Sequence, residues 1–461
     1  MARVRRVPAR EGITGLSRRM GRPEGRRQGM TTNESQTRGL YQGWYVVAAC
    51  LFIALVTVGA RQTFGVFVKP MSDDLGWDRT TISLAVSLGL LVNGLTQPFM
   101  GYLFDRMGAR IIIASLIVVG LATVSLAFTF HILFLAFMFG VVVSTGLSGS
   151  GLTNTAALLS KWFRSKRATV VGINSAGVSV GGLILVPFAA YLIEATSWRV
   201  TWVVLGLIIL VLSVPFALLF LRDSPNKLGQ RLGGKPGQPP GGAGGVVPQP
   251  SGPLETDQWK QPFQSPPFWQ MSAAFFACGA TTMVIAIHFV AYAEEEVGAS
   301  PIMAAWIFSF MMLLNVAGSI GAGILGDRFR RKNVLAAVYL IRGCAYVVLL
   351  ATSSTFGLWA FAAMAGVSWI ATGPLTMSLT ADVYGVRALG TISGITFVFH
   401  QVGGASAVLL AGALRDATGS YTLPFAIVGS LLFFAALAAF TIKEERYSIR
   451  YQARPAAAAG D

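Results

Sequence analysis

Apolar runs of about 20 residues, long enough to cross a hydrocarbon core as a helix, recur along the whole of this 461-residue chain. Hydropathy read in windows of about 19 residues places them near 44–68, 80–104, 110–130, 132–157, 168–193 and 200–221, then near 268–291, 301–325, 333–353, 355–380, 390–412 and 421–442. Only 12% of the residues are charged, against about a quarter in soluble domains. In lipid every backbone polar group must be satisfied within its own segment, so the expected fold is an all-α membrane protein of twelve transmembrane helices. The three cysteines, Cys50, Cys278 and Cys344, all fall inside apolar runs. That leaves neither a disulfide framework nor zinc spacing and reads as packing.

Between the sixth and seventh runs the composition changes. The tract Gly233–Pro253 is dominated by Gly and Pro and is too poor in apolar side chains to fold alone. The expected organisation is therefore a basic N-terminal arm over 1–40, a six-helix bundle over 41–221, a linker over 222–267, a second six-helix bundle over 268–442 and a tail over 443–461.

The net charge of +16 suggests nucleic acid until its distribution is read. Of 36 Lys and Arg, 16 lie in loops after even-numbered runs, 4 in loops after odd-numbered runs and 2 within runs. This asymmetry follows the positive-inside rule and predicts a multi-pass cell (inner) membrane protein with both termini and the linker in the cytoplasm. A nucleic-acid reader would cluster charge on a soluble module, and the sequence offers none. The Arg-rich stretch Met1–Gly29 has no apolar core of a secretory signal. It reads either as an arm facing anionic lipid or as residues ahead of a start at Met30.

One offset of 222 residues relates the two halves, taking Asp105 to Asp327. Gly101-Tyr-Leu-Phe-Asp105-Arg106 becomes Gly323-Ile-Leu-Gly-Asp327-Arg328, Gly172 maps to Gly394, Gly181-Gly182 to Gly403-Gly404 and Ala195-Thr196 to Ala417-Thr418. An ungapped match from the second run to the fifth marks a duplication, and so two pseudo-twofold-related bundles.

The loop Gly101-Tyr-Leu-Phe-Asp105-Arg106-Met-Gly108-Ala-Arg110 resembles the cytoplasmic loop motif of the major facilitator superfamily, and its second-half echo ends in Arg330-Arg331-Lys332. The resemblance spans about residues 40–445 and implies a transporter fold whose first, fourth, seventh and tenth helices line a central cavity. It also implies that Asp105 acts as a conformational latch. On the residues themselves, Asp105 and Asp327 beside Arg106, Arg110 and Arg328 read as switchable ion pairs, with topology-setting charge as the simpler account. The first run, with Gly43-Trp44-Tyr-Val-Val and then Arg61-Gln62-Thr-Phe-Gly-Val-Phe, is similar to the monocarboxylate transporter family and its bacterial relatives. That family carries an embedded lysine which an ungapped count from Trp44 places at Gln62, so Arg61 would serve one position away. The family's Asp and Arg of the eighth helix correspond to Asn315 and Ser319 here, which puts proton–lactate symport in doubt.

Charge inside a bilayer is costly, about 2.5–3.5 kcal/mol for Arg or Asp on insertion scales. The runs hold Arg61, Arg342, His288 and His400 but no carboxylate away from their ends. A cavity of this polarity attracts an anion. Arg61 reads as a carboxylate-binding fork or as a side chain snorkelling outward. Arg342, in the ninth run, reads as structural. His288 and His400 read as cavity groups, proton sites or neutral packing. Asn93, Gln97, Asn154, Asn174 and Asn315 complete the candidate cavity set, with interhelical glue as the alternative, worth about 0.6 kcal/mol each.

No Gly-x-x-x-x-Gly-Lys-Ser/Thr run is present, so ATP is not expected to supply the energy, and no cofactor is implied. The expected function is secondary active or facilitative transport of a small organic anion, a monocarboxylate for preference, with proton coupling open. The alternatives are export of an uncharged or amphipathic compound, and a transporter-like receptor. An enzyme is not expected, because no nucleophile–base or paired-carboxylate constellation lies within the runs.

Overall fold

The computed structural model describes residues 41–77, 79–223 and 252–452, which are helical throughout apart from short connections, with no strand among the described residues. The arm over 1–40, the bulk of the Gly/Pro tract and the last residues of the tail lie outside the described residues.

Twelve long helices follow the apolar runs closely. The N-terminal half contains α1 (Gln42–Leu75), α2 (Arg79–Met107), α3 (Ala109–Phe128), α4 (Ile132–Trp162), α5 (Arg167–Ala195) and α6 (Trp198–Phe220). The C-terminal half contains α7 (Pro266–Glu295), α8 (Pro301–Arg328), α9 (Arg331–Ala351), α10 (Thr355–Tyr384), α11 (Leu389–Thr418) and α12 (Thr422–Phe440). Eleven of them are long and apolar enough to cross a membrane on length and composition among the described residues. The twelfth, α2, matches the others at 29 residues and carries Asn93, Thr96 and Gln97 along its length. Large apolar side chains such as Leu121, Phe137, Leu313 and Phe434 are exposed on the outside of the bundles, where lipid takes the place of a core.

Each half packs around its own buried cluster: Val46, Ile53, Leu116 and Leu159 in the first, Phe275, Tyr339, Phe361 and Leu432 in the second. The halves meet along α2 against α11 and α5 against α8. Close approach there depends on glycine: a Cβ on Gly390 would sit 2.6 Å from the Gly101 carbonyl oxygen, and one on Gly394 2.8 Å from that of Gln97. The 222-residue offset repeats these contacts in the other pair, where Gly323 abuts Ala168 and Gly172 abuts Ser319.

Parts of the expected linker and tail are folded against the second half. Thr256 N donates to Tyr384 O at 3.2 Å, and the Ser265 and Tyr384 hydroxyls are 2.6 Å apart. Glu444 is buried and accepts from the backbone N–H of Arg331 (3.2 Å) and Lys332 (2.9 Å), capping α9. Asp223 does the same for α3, accepting from Ala109 N at 2.6 Å. Composition missed these segments because a few isolated apolar side chains, Leu254, Phe263 and Tyr447, and specific hydrogen bonds fasten them, with no continuous apolar run.

Candidate substrate cavity and latch

Three helices break where they pass the centre of the molecule. α1 is interrupted at Thr63, whose N–H and hydroxyl both turn back to Ala60 O, and Arg61 ends the turn before the break. α4 contains a widened π-type turn over Ala136–Val143 and breaks at Gly151, whose ψ is −175°. α10 breaks around Trp369–Ala371. Carbonyls freed at such breaks need donors at membrane depth, and side chains provide them. Asn154 Nδ2 reaches Ser148 O (3.2 Å) and Gly149 O (2.9 Å), while Arg342 donates to Ser368 O and Trp369 O.

The breaks border a cavity of about 660 Å³ between the halves, walled by α1, α2, α4, α5, α7, α8, α10 and α11. That is twice the number of helices expected. Four of the anticipated residues reach the wall: Arg61, Asn93, Gln97 and His400. Arg61 is partly exposed and, among the described residues, has no hydrogen-bond or ion-pair partner; no Asp or Glu lies on the wall. His400 stacks on Phe397, with ring centroids 5.5 Å apart, and meets Phe275 at 4.8 Å with the rings tilted by 50°.

The other four sit elsewhere. His288 packs beside the ring of Tyr421, 5.5 Å between centroids. Asn154 serves the α4 break, and Asn174 Nδ2 donates to Thr155 Oγ1 at 2.8 Å, tying α5 to α4. Asn315 donates to Ser179 Oγ at 2.6 Å across the halves and accepts from Ile370 N at 2.9 Å at the α10 break. They were grouped with the cavity because a buried amide reads the same in sequence whether it faces a cavity or a freed carbonyl. The sequence reading in turn missed Gln62, Cys278, Thr282, Trp369 and the aromatic side of the wall. The triplet Gly149-Ser-Gly151 was the available hint of a break. Nothing in sequence separates a cavity phenylalanine from a lipid-facing one. Arg342 lies just behind the wall, 3.5 Å from both Cys278 Sγ and Thr282 Oγ1.

At the end of the molecule that carries the Asp105 loop, each motif carboxylate caps a helix of the opposite half. Asp105 accepts from Gly390 N and Thr391 N at 2.8 Å each and from Thr391 Oγ1 at 2.7 Å. Asp327 accepts from Ala168 N at 3.0 Å and Thr169 N at 2.8 Å, positions related by the same offset. The expected ion pairs with Arg106 and Arg328 are not formed. Arg106 stacks on Tyr102, 4.4 Å from the ring centroid, and Arg328 lies over Phe329. A carboxylate aimed at a helix N-terminus is already paired with N–H groups and the helix dipole, which leaves those arginines to turn outward. Arg106 and Arg110 both line a polar recess with Asp105, Lys161 and Asp223. The charge partner actually made is Arg331, 2.8 Å from Asp327, which also pairs with the buried Asp382; Asp382 in turn pairs with Arg167 from the first half.

Two pseudo-twofold-related six-helix bundles that meet around a deep cavity have the architecture of a secondary transporter. The model of the Major Facilitator Superfamily matches residues 50–407 and 272–458, and the chain belongs to that superfamily. It is 25% identical over 414 residues to an uncharacterised MFS-type transporter, YcxA, of Bacillus subtilis, covering 86% of this chain and 93% of that one. It is 23% identical to monocarboxylate transporter 13 of Rattus norvegicus, covering 85% and 86%. It is 26% identical to a probable sulfoacetate transporter, SauU, of Cupriavidus necator, covering 88% and 94%. Among solved structures it resembles the superfamily transporter FucP, with a TM-score of 0.64 and 18% identity over 87% of this chain and 99% of that one.

Proposed function

We propose that this transporter carries a small organic anion of the monocarboxylate type across the cell (inner) membrane by alternating access, with Arg61 holding the carboxylate. The observation that carries this reading is an unpartnered guanidinium on a wall without Asp or Glu. A planar fork at membrane depth has no better occupant than a carboxylate. The names of the rat and Cupriavidus relatives, a monocarboxylate and a sulfoacetate transporter, agree with it. Gln62, Asn93, Gln97 and His400 shape the pocket around the bound head group, while Asn154, Asn174 and Asn315 hold the wall in place. With no carboxylate on that wall, proton coupling runs through His400 or through the protonated substrate.

The basic loops Arg106–Arg110, Lys161–Arg167 and Arg328–Lys332 lie at one end of the helices, and Glu294, Glu295 and Glu296 at the other. By the positive-inside rule the first end faces the cytoplasm. The latch joins the halves at that end and leaves the cavity to be reached from outside.

Arg61→Gln should weaken carboxylate binding about 10- to 100-fold, the loss of a charged hydrogen bond worth roughly 1.5–3 kcal/mol, and Arg61→Lys should restore part of it. Counterflow of a labelled carboxylate in proteoliposomes and ligand-induced thermal shift measure both. Carboxylate transport undiminished in Arg61→Gln would remove the assignment.

A further inference from the structure

Most of the polar groups on the cavity wall are already engaged by the protein. Asn93 Nδ2 donates to Ser148 Oγ (2.8 Å) and Ser144 O (3.1 Å), and Gln97 Nε2 to Ser148 O (3.0 Å). Gln62 Nε2 donates to Val178 O (3.2 Å), and Gln401 Nε2 crosses between the halves to Leu90 O (3.1 Å). Thr372 Oγ1 lies 3.0 Å from Cys278 Sγ, and His400 Nδ1 lies 3.2 Å from Gln401 Oε1. Among the described wall residues, the charged donor left without a partner is the Arg61 guanidinium; the Thr153 hydroxyl and the Trp369 indole N–H are the neutral ones.

The second half supplies most of the aromatic and thioether side chains of the wall, where the first half adds Phe139 and aliphatic residues around Arg61. Those of the second half are Phe275, Met283, Phe308, Met312, Trp369 and Phe397. His400 joins this surface through its face, its ring plane within 6° of that of Phe397. Aromatic rings and thioethers offer dispersion contacts and adaptable fit. They offer almost nothing to a solute covered in hydroxyl groups, whose lost water contacts would go unreplaced.

From this division of the cavity, and resting on the anion reading above, we infer that the substrate is an amphipathic monocarboxylate with an aromatic or medium-length aliphatic body. Its carboxylate meets Arg61, and its body lies against the aromatic wall of the second half. A two- or three-carbon hydroxy acid would satisfy the head group and leave that wall in contact with water. A sugar or polyol would find the amide donors of the wall spent and, opposite them, an aromatic surface that cannot replace its lost water contacts. The volume of about 660 Å³ falls within the roughly 300–1,000 Å³ typical of pockets that enclose a whole ligand body.

The test uses the full-length wild-type protein, so no variant has to fold. Displacement of labelled phenylacetate is measured with acetate, butyrate, hexanoate, phenylacetate and the uncharged phenylacetamide, in parallel with thermal shift. Affinity should rise by about fourfold per methylene added to the aliphatic acids, the effect of burying one such group. Phenylacetate should exceed acetate by at least tenfold, and phenylacetamide should fall at least tenfold below phenylacetate. Acids that bind equally well whatever their body, with the amide still excluded, overturn the inference and leave the anion reading standing. An amide that binds as well as its acid overturns the anion reading while the apolar contact survives. As a second measurement, Phe397→Ala should weaken phenylacetate at least fivefold and leave acetate within twofold, whereas an equal loss for both would contradict a body-specific contact.

Discussion

Asp382 sits with no exposed side-chain surface between Arg331 of its own half and Arg167 of the other, and both arginines are almost as deeply enclosed. Such a triad is tolerable because each charge has a partner, and it becomes costly when one is removed. Truncating one member of a buried pair typically costs about 3–5 kcal/mol, since the survivor is left desolvated. The offset assigns Ser160 and Ala109 to the places of Asp382 and Arg331 in the first half, so the triad has no twin there. Asp382→Asn is therefore expected to lower the apparent melting temperature clearly, while Asp73→Asn, at the exposed pair with Lys69, shifts it much less. Equal effects of the two substitutions would show that the triad contributes no more than a surface pair. The sequence did not reveal this cluster: its members lie 215 and 51 positions apart, and an acid at a span end reads as a loop charge.

At the scale of helices, the ends and the interior differ in how far the sequence could be read. Twelve apolar runs located the helices, because length and hydropathy are local properties. The breaks in α1, α4 and α10 were not legible: Thr63 and Asn154, which serve the first two, read in sequence as ordinary polar residues of a span, and Arg342 reaches the α10 carbonyls from α9. Four of eight candidate cavity residues reached the wall for the same reason: an apolar run discloses depth but not facing. Each motif carboxylate caps a helix of the opposite half where ion pairs with the adjacent Arg106 and Arg328 were expected, and Asp327 meets Arg331, four positions on. An anion at a helix N-terminus is worth about 0.3–1 kcal/mol, rising to ~2 kcal/mol when partly buried. Asp105→Asn should accordingly bias the halves apart at the latch by about 5- to 30-fold at 1.4 kcal/mol per tenfold. The expected result is slowed counterflow with carboxylate binding reduced severalfold at most. Normal transport together with strongly weakened binding would place Asp105 in the cavity's chemistry instead.

For the molecule as a whole, the cross-half contacts fall at the latch end and at mid-depth. Asp105, Asp327 and Arg167 bind across near the loops, and Asn315 and Gln401 do so beside the cavity. The ion pairs toward the opposite end stay within one half, as with Glu295 to Arg415 and Asp74 to Arg199. Two rigid bundles fastened in this way can open at the unfastened end without breaking a cross-half bond, so the cavity should be reached from there. Ala286 is exposed on the wall, and in a Cys278→Ala, Cys344→Ser background the remaining native thiol, Cys50, is buried. An Ala286→Cys variant should then react readily with a membrane-impermeant thiol reagent added to intact cells and slowly in inside-out vesicles. A saturating carboxylate should slow the first reaction, and adding Asp105→Asn should accelerate the second by about the 5- to 30-fold that the lost cap allows. Labelling confined to inside-out vesicles would reverse the proposed orientation. Labelling equal from both sides and indifferent to Asp105 would mean that the paired caps do not decide which end of the cavity is closed.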